Sequence, residues 1–191
     1  MDDGHHHPHV RSDHEGTTML DGETCRLRLV RESDLDVLAE LEEDVANRGA
    51  YFPHGVVPRA RLARDLAETG LWQDTEGLLL IVDDADLVLG HIEFFPTVGY
   101  LDEVELSYIL YGASHRGRGI ATEAVRLLSD HLFGRSKVHR IRLVIHPENA
   151  ASRRVAEKAG YTLEGVMRGA WFHRGRNHDV ELWARLRTDP V

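Results

Sequence analysis

"SYILYGASHRGRGIATEAV", residues 107–125, decides the fold. An apolar, strand-like run enters a short loop of arginine and glycine, and a helix begins at once. Ile120, Ala121, Ala124, Val125, Leu128 and Leu132 recur at helical spacing, which predicts one apolar helix face with Gly134 as its stop. A helix N-terminus offers free backbone N–H groups and a partial positive charge. Gly117 and Gly119 let the backbone approach an anion with no Cβ in the way, and Arg116 and Arg118 add charge. The loop therefore suits a pyrophosphate. It also suits a plain strand–loop–helix joint. No Lys-Ser/Thr follows the glycines, so it is not a P-loop, and "GRGIAT" lacks the G-x-G-x-x-G spacing of a dinucleotide fold.

Outward from that stretch, the elements alternate. Leu27 and Leu29 between arginines predict a strand, and Ser33 or Asp34 can cap a helix carrying Leu35, Leu38, Ala39 and Leu41. Pro53 and Pro58 mark a loop, and 59–70 a second helix. Residues 77–95 form two strands around a turn at Asp83–Asp86, and "DEVELSYILY" forms a third. Beyond the central helix come a strand ending at Pro147, a helix between Asn149 and Gly160, and two closing strands. The order β-α-α-β-β-β-α-β-α-β-β predicts an α/β (α+β) fold. Its sheet is mixed and mostly antiparallel, of about seven strands, with helices on both faces.

The chain of 191 residues fits one domain, at 23–191. Residues 1–22, with His5, His6, His7 and His9, have almost no apolar periodicity and are expected to be a disordered His-rich tail, with no metal site. A net charge of −9 argues against a nucleic-acid partner. One cysteine, no long apolar run and no signal-peptide pattern predict a soluble cytoplasmic protein without membrane contact.

"HRGRGIATEAV" resembles motif A of the GNAT acyl-CoA transferases, whose pattern is Q/R-x-x-G-x-G/A; Arg116, Gly119 and Ala121 fill it. "NAASRRVAEKAGYTLEGVMRG" is similar to the motif that follows in the RimJ/RimL-like branch, and "HDVELWARLR" resembles that branch's last strand. The resemblance covers about residues 24–188. It implies a GNAT fold with a splayed central strand pair, and acetyl-CoA as co-substrate. The pyrophosphate would meet the backbone of Gly117, Arg118, Gly119, Ile120, Ala121 and Thr122. The pantetheine arm would pair with Ile109, Leu110 and Tyr111 and be held by Asn149, which can also serve as a helix cap.

The implied chemistry is direct attack of a primary amine on the thioester, with the N–H of Leu110 or Ile109 polarising the carbonyl. The acceptor would be a small molecule or a peptide. The tyrosine acid of many relatives falls at Ala156, and the glutamate base of others at Val144, so both roles are vacant. Ser152 is the candidate thiolate partner, or else a helix-surface serine. Glu105 and Glu93 are candidate bases, or else residues of a polar sheet face; His91 and His173 are further candidates. Tyr51, Phe52, His54, Trp171, Phe172 and His173 stand where an acceptor pocket would form. A non-catalytic CoA-binding sensor, and a donor such as a longer acyl-CoA or an aminoacyl-tRNA, remain alternatives. The family also allows a homodimer.

Overall fold

A computed structural model describes residues 10–13, 17–44, 49–51 and 57–190. Its sheet has nine strands in the order β1-β2-β3-β4-β5-β6-β7-β9-β8. They are β1 (Val10–Asp13), β2 (Thr17–Asp21), β3 (Arg26–Leu29), β4 (Gly77–Val82), β5 (Val88–Pro96), β6 (Glu103–Leu110), β7 (Arg140–Ile145), β8 (Thr162–His173) and β9 (Arg176–Leu186). Every pairing is antiparallel except β6–β7. A parallel pair needs a long crossover, and helix α3 (Ile120–Arg135) supplies it.

The count exceeds the expected seven because the expected tail is not all tail. β1 and β2 pair with each other, and β2 pairs with β3 with Leu20 opposite Leu27. Leu20 of β2 is in the core, 1% exposed. Residues 1–9, with their four histidines, lie outside the described residues.

Alternation along β4 sorts the two faces. Leu79 and Ile81 join a core with α3 and α4 (Ala150–Lys158), while Leu80 and Val82 join a second core under α1 (Leu35–Glu43) and α2 (Arg59–Thr69). Asp34 stands at the N-cap of α1, as expected, but its side chain makes no capping bond there. Its carboxylate instead takes two hydrogen bonds from the buried guanidinium of Arg28, at 2.7 and 2.9 Å. Gly134 does not stop α3 either. The helix runs on to Arg135 and ends at Ser136, whose extended backbone breaks the pattern. The β8–β9 hairpin turns at Arg174 and Gly175, both with positive φ, as a two-residue hairpin turn requires.

The decisive feature is the centre of the sheet. β6 and β7 pair only at Glu103–Arg140, Val104–Ile141 and Glu105–Arg142. Beyond these pairs the strands part, leaving Leu106–Leu110 and Leu143–Ile145 on opposite sides of a gap. Glu123 in the first turn of α3 steadies the far end. Its carboxylate accepts the backbone N–H groups of Glu23, Thr24 and Cys25 at 2.6, 2.7 and 3.0 Å.

Candidate active site

The gap opens into a cleft of about 1040 Å³ that reaches both faces of the sheet. On the α3–α4 side its wall holds Arg116, Gly117, Gly119, Ile120, Ala121, Thr122, Asn149 and Ser152. Gly117 and Gly119 have φ of +74° and +87°, and a Cβ built on either meets nothing within 4 Å. The loop therefore bends as only glycine does without strain, and its outer side is open. With the N–H groups of the first turn of α3 beside it, this is a cradle that fits a pyrophosphate. Arg118 is exposed and outside the cleft wall.

Strand parity decides which backbone groups face the gap. The Tyr111 N–H bonds the Leu89 carbonyl at 2.9 Å. In an antiparallel ladder such bonds alternate, so odd-numbered amides of β6 face β5, and those of Leu106, Tyr108 and Leu110 face the gap. Two sequence expectations change as a result. The Ile109 amide is directed to β5, which leaves that of Leu110 facing the gap. Tyr111 lies outside the cleft wall; its hydroxyl donates to Glu42 at 2.8 Å and sits 2.6 Å from His91 Nδ1. Ile109 and Leu110 do line the cleft.

Asn149 caps α4, its Oδ1 accepting the Ser152 N–H at 3.1 Å. The Ser152 Oγ lies 2.6 Å from the Tyr108 hydroxyl, and both residues line the cleft. Burial pushes the Tyr108 phenol up to about 12, with the bond to Ser152 pulling the other way. Ala156 is fully buried in the core.

On the α1–α2 side the wall holds Glu42, His91, Glu93, Glu105, Ser107, Val144 and His146. The two candidate carboxylates differ. Glu105 is committed to Arg142 at 2.9 Å; burial pushes its carboxyl up, and Arg142 opposes that. Glu93 faces Ser107 across the ladder and has no ion pair among the described residues. Burial pushes its carboxyl above the ordinary range, the Ser107 hydroxyl opposes this, and Glu42 and Glu105 add to it.

Rings close the far end of the cleft. Trp171 and His173 stack at 4.3 Å, Tyr51 stacks on His146 at 4.9 Å, and His146 Nε2 lies 3.2 Å from His178 Nδ1. Tyr51, His146 and Trp171 reach the cleft. His173 instead bonds the Ala50 carbonyl, 3.1 Å away. Phe172, expected in the pocket, is 70% exposed and turned away. Phe52 and His54 lie outside the described residues. Among the described residues no cluster of three or more His, Cys, Asp or Glu could hold a metal. No helix among them is long and apolar enough to cross a membrane.

Sequence reading missed Tyr108, Glu42, His146 and His178. Only Tyr108 carries a local signal: its even position on β6 sends it to the face opposite Glu105, where α4 lies.

A splayed parallel pair, a glycine cradle at a helix start and a through-cleft together define an acyl-CoA transferase architecture. The family model described as "Acetyltransferase (GNAT) domain" matches residues 25–162, and the chain belongs to that family of N-acetyltransferases. The probable N-acetyltransferase YjcK of Bacillus subtilis is 43% identical over 105 residues, 54% of this chain and 58% of that protein. The ribosomal-protein-serine acetyltransferase of Escherichia coli is 29% identical over 108 residues, 56% of this chain and 60% of that protein. Each of these two matches thus spans under two thirds of the relative's length. The structure of spermidine N-acetyltransferase from Vibrio cholerae with CoA and spermine superposes with a TM-score of 0.74 at 20% identity, covering 88% of this chain and 98% of that one.

Proposed function

We propose that the protein transfers an acetyl group from acetyl-CoA to a primary amine, by direct attack within the splay. The observation that carries this reading is the continuity of the cleft. Its α3–α4 mouth has the anion cradle and its α1–α2 mouth has carboxylates, and the two meet at the unpaired edge of β6. Gly117, Gly119, Ile120, Ala121 and Thr122 hold the pyrophosphate, with Arg116 beside them. The arm passes Asn149 and pairs with the backbone of Tyr108 and Leu110.

The amine enters from the α1–α2 side. Its nitrogen forms the new C–N bond as the C–S bond breaks. Glu93, ionised, takes the proton the amine gives up, directly or through one water. The Leu110 N–H stabilises the carbonyl oxygen as charge builds on it. Ser152 stands by the departing sulfur. Burial tunes Glu93 for this role: a carboxyl whose pKa is raised is, once ionised, a stronger base than a solvated one.

The acceptor is a protein N-terminus or a small-molecule amine. Two observations favour a cationic one. Glu42, Glu93 and Glu105 gather on the acceptor side, and the chain carries a net charge of −9. Relatives named for ribosomal-protein serine and for spermidine bracket the two classes. Free-thiol release from acetyl-CoA, followed on adding N-terminal peptides and polyamines in turn, tests the reading. Amine-dependent release is expected; release indifferent to every amine would contradict it.

A further inference from the structure

Tyr108 comes from the central strand and Ser152 from the first turn of α4, and their hydroxyls meet at 2.6 Å beside the gap. Two hydroxyls carry two protons. One proton is spent on the bond between them. Neither hydroxyl has a second partner among the described residues. One O–H donor is therefore left over, whichever way the shared bond runs, and both residues face the cleft.

We propose that Tyr108 and Ser152 act as a single hydrogen-bond donor to the sulfur of coenzyme A, with Tyr108 the positioning residue that sets the Ser152 hydroxyl. This rests on the acetyl-CoA reading above. The preferred direction is Tyr108 O–H to Ser152 Oγ, and Ser152 O–H to the sulfur. A first-turn helix serine otherwise tends to turn its proton to a nearby backbone carbonyl. The bond from Tyr108 uses the serine's acceptor side and holds its proton toward the gap.

No proton changes hands. As the C–S bond breaks, the sulfur leaves with the electron pair as a thiolate, and the donor stabilises that charge. The amine proton departs through Glu93, and solvent protonates the thiolate on release. Keeping both hydroxyl protons suits a phenol that burial makes reluctant to ionise.

The test is the thiol titration of coenzyme A bound to the protein, read by thiolate absorbance, for the wild type, Tyr108→Phe, Ser152→Ala and the double variant. This readout needs no acceptor. A donor to the thiolate lowers the pKa of the bound thiol. Each single variant should raise it by about one to two units, the worth of one hydrogen bond to a charged group, and the double variant should raise it no further. With an accepted amine, kcat should fall by about tenfold to a hundredfold in Tyr108→Phe while KM for acetyl-CoA stays put. Ser152→Thr, which keeps the hydroxyl, should recover most of the effect. A Tyr108→Phe titration that matches the wild type, or losses that add in the double variant, would overturn the proposal and leave the acetyl-CoA reading standing. Failure of the wild type to bind coenzyme A would overturn both.

Discussion

Glu93 and Ser107 face each other across the β5–β6 ladder on the α1–α2 side of the splay, and no arginine or lysine pairs with that carboxylate among the described residues. Two residues further along the same ladder, Glu105 is locked to Arg142. Strand alternation puts both glutamates on one face. Only their partners separate a base from a structural ion pair.

Glu93→Gln should lower kcat by about a hundredfold or more with little change in acetyl-CoA affinity. The pH–rate profile checks the assignment. The base works ionised, so activity should rise with pH through an acid limb displaced above the ordinary glutamate value of about 4.3. The variant should lose that limb. Stability should move the other way. A carboxyl whose folded pKa is raised favours the folded state at low pH, and that contribution is lost as pH rises through the raised value. Glu93→Gln should therefore melt higher than the wild type at neutral pH. A Glu105→Gln variant with the larger loss of kcat would reverse the two roles.

Arg28 is 1% exposed and bonded to both Asp34 and Asp86. Removing it strands a buried carboxylate, so Arg28→Ala should cost about 3–5 kcal/mol in denaturant unfolding. Burial alone would raise the Asp34 carboxyl, but the Arg28 hydrogen bonds outweigh it and hold it below the ordinary range. A lowered folded pKa gives stability that is full above the unfolded value of about 3.9 and lost as pH falls through the folded one. Acid unfolding of Asp34→Asn should be shallower over that window. An unchanged acid limb would show that Asp34 is not the group titrating there.

Gly90 lies against the strand that lines the gap. A Cβ on it would sit 2.0 Å from the Ile109 carbonyl oxygen and 3.1 Å from the Leu110 Cα. Gly90→Ala must push β6 sideways at the point where the pantetheine arm would pair. Both the melting temperature and acetyl-CoA affinity should fall together. A variant that loses stability but binds acetyl-CoA as tightly as the wild type would put the arm elsewhere.

How much of this was legible in the sequence depends on the range of the signal. The apolar face of α3, the glycines at 117 and 119 and the Asn149 cap are local, and each stands where its pattern placed it. Asp34 and Gly134 show where local rules yield. Asp34 holds the N-cap position, but its carboxylate went to a buried guanidinium six residues back, because leaving Arg28 unpaired costs more than a missing capping bond. Gly134 lies in a helix held by Leu128 and Leu132 in the core, which outweighs one residue's poor propensity. Within the cleft, the 116–122 loop and helix start belong to one continuous segment, so their local shape was readable. The Tyr108–Ser152 pair joins residues 44 apart, and Tyr111–Glu42 joins residues 69 apart. No spacing rule connects them. Choosing between Glu93 and Glu105 likewise needed Arg142, which only the sheet register brings alongside.

The central claim is that the cofactor lies on the 116–122 cradle. The direct measurement is calorimetric titration of acetyl-CoA into the wild type and into Gly119→Glu. Gly119 has φ of +87° and open space where its Cβ would point, so the substitution places a carboxylate where the pyrophosphate belongs. The account predicts micromolar binding with one site in the wild type, and none in a variant whose fold is intact by circular dichroism. Equal binding in both, or none in the folded wild type, would contradict it.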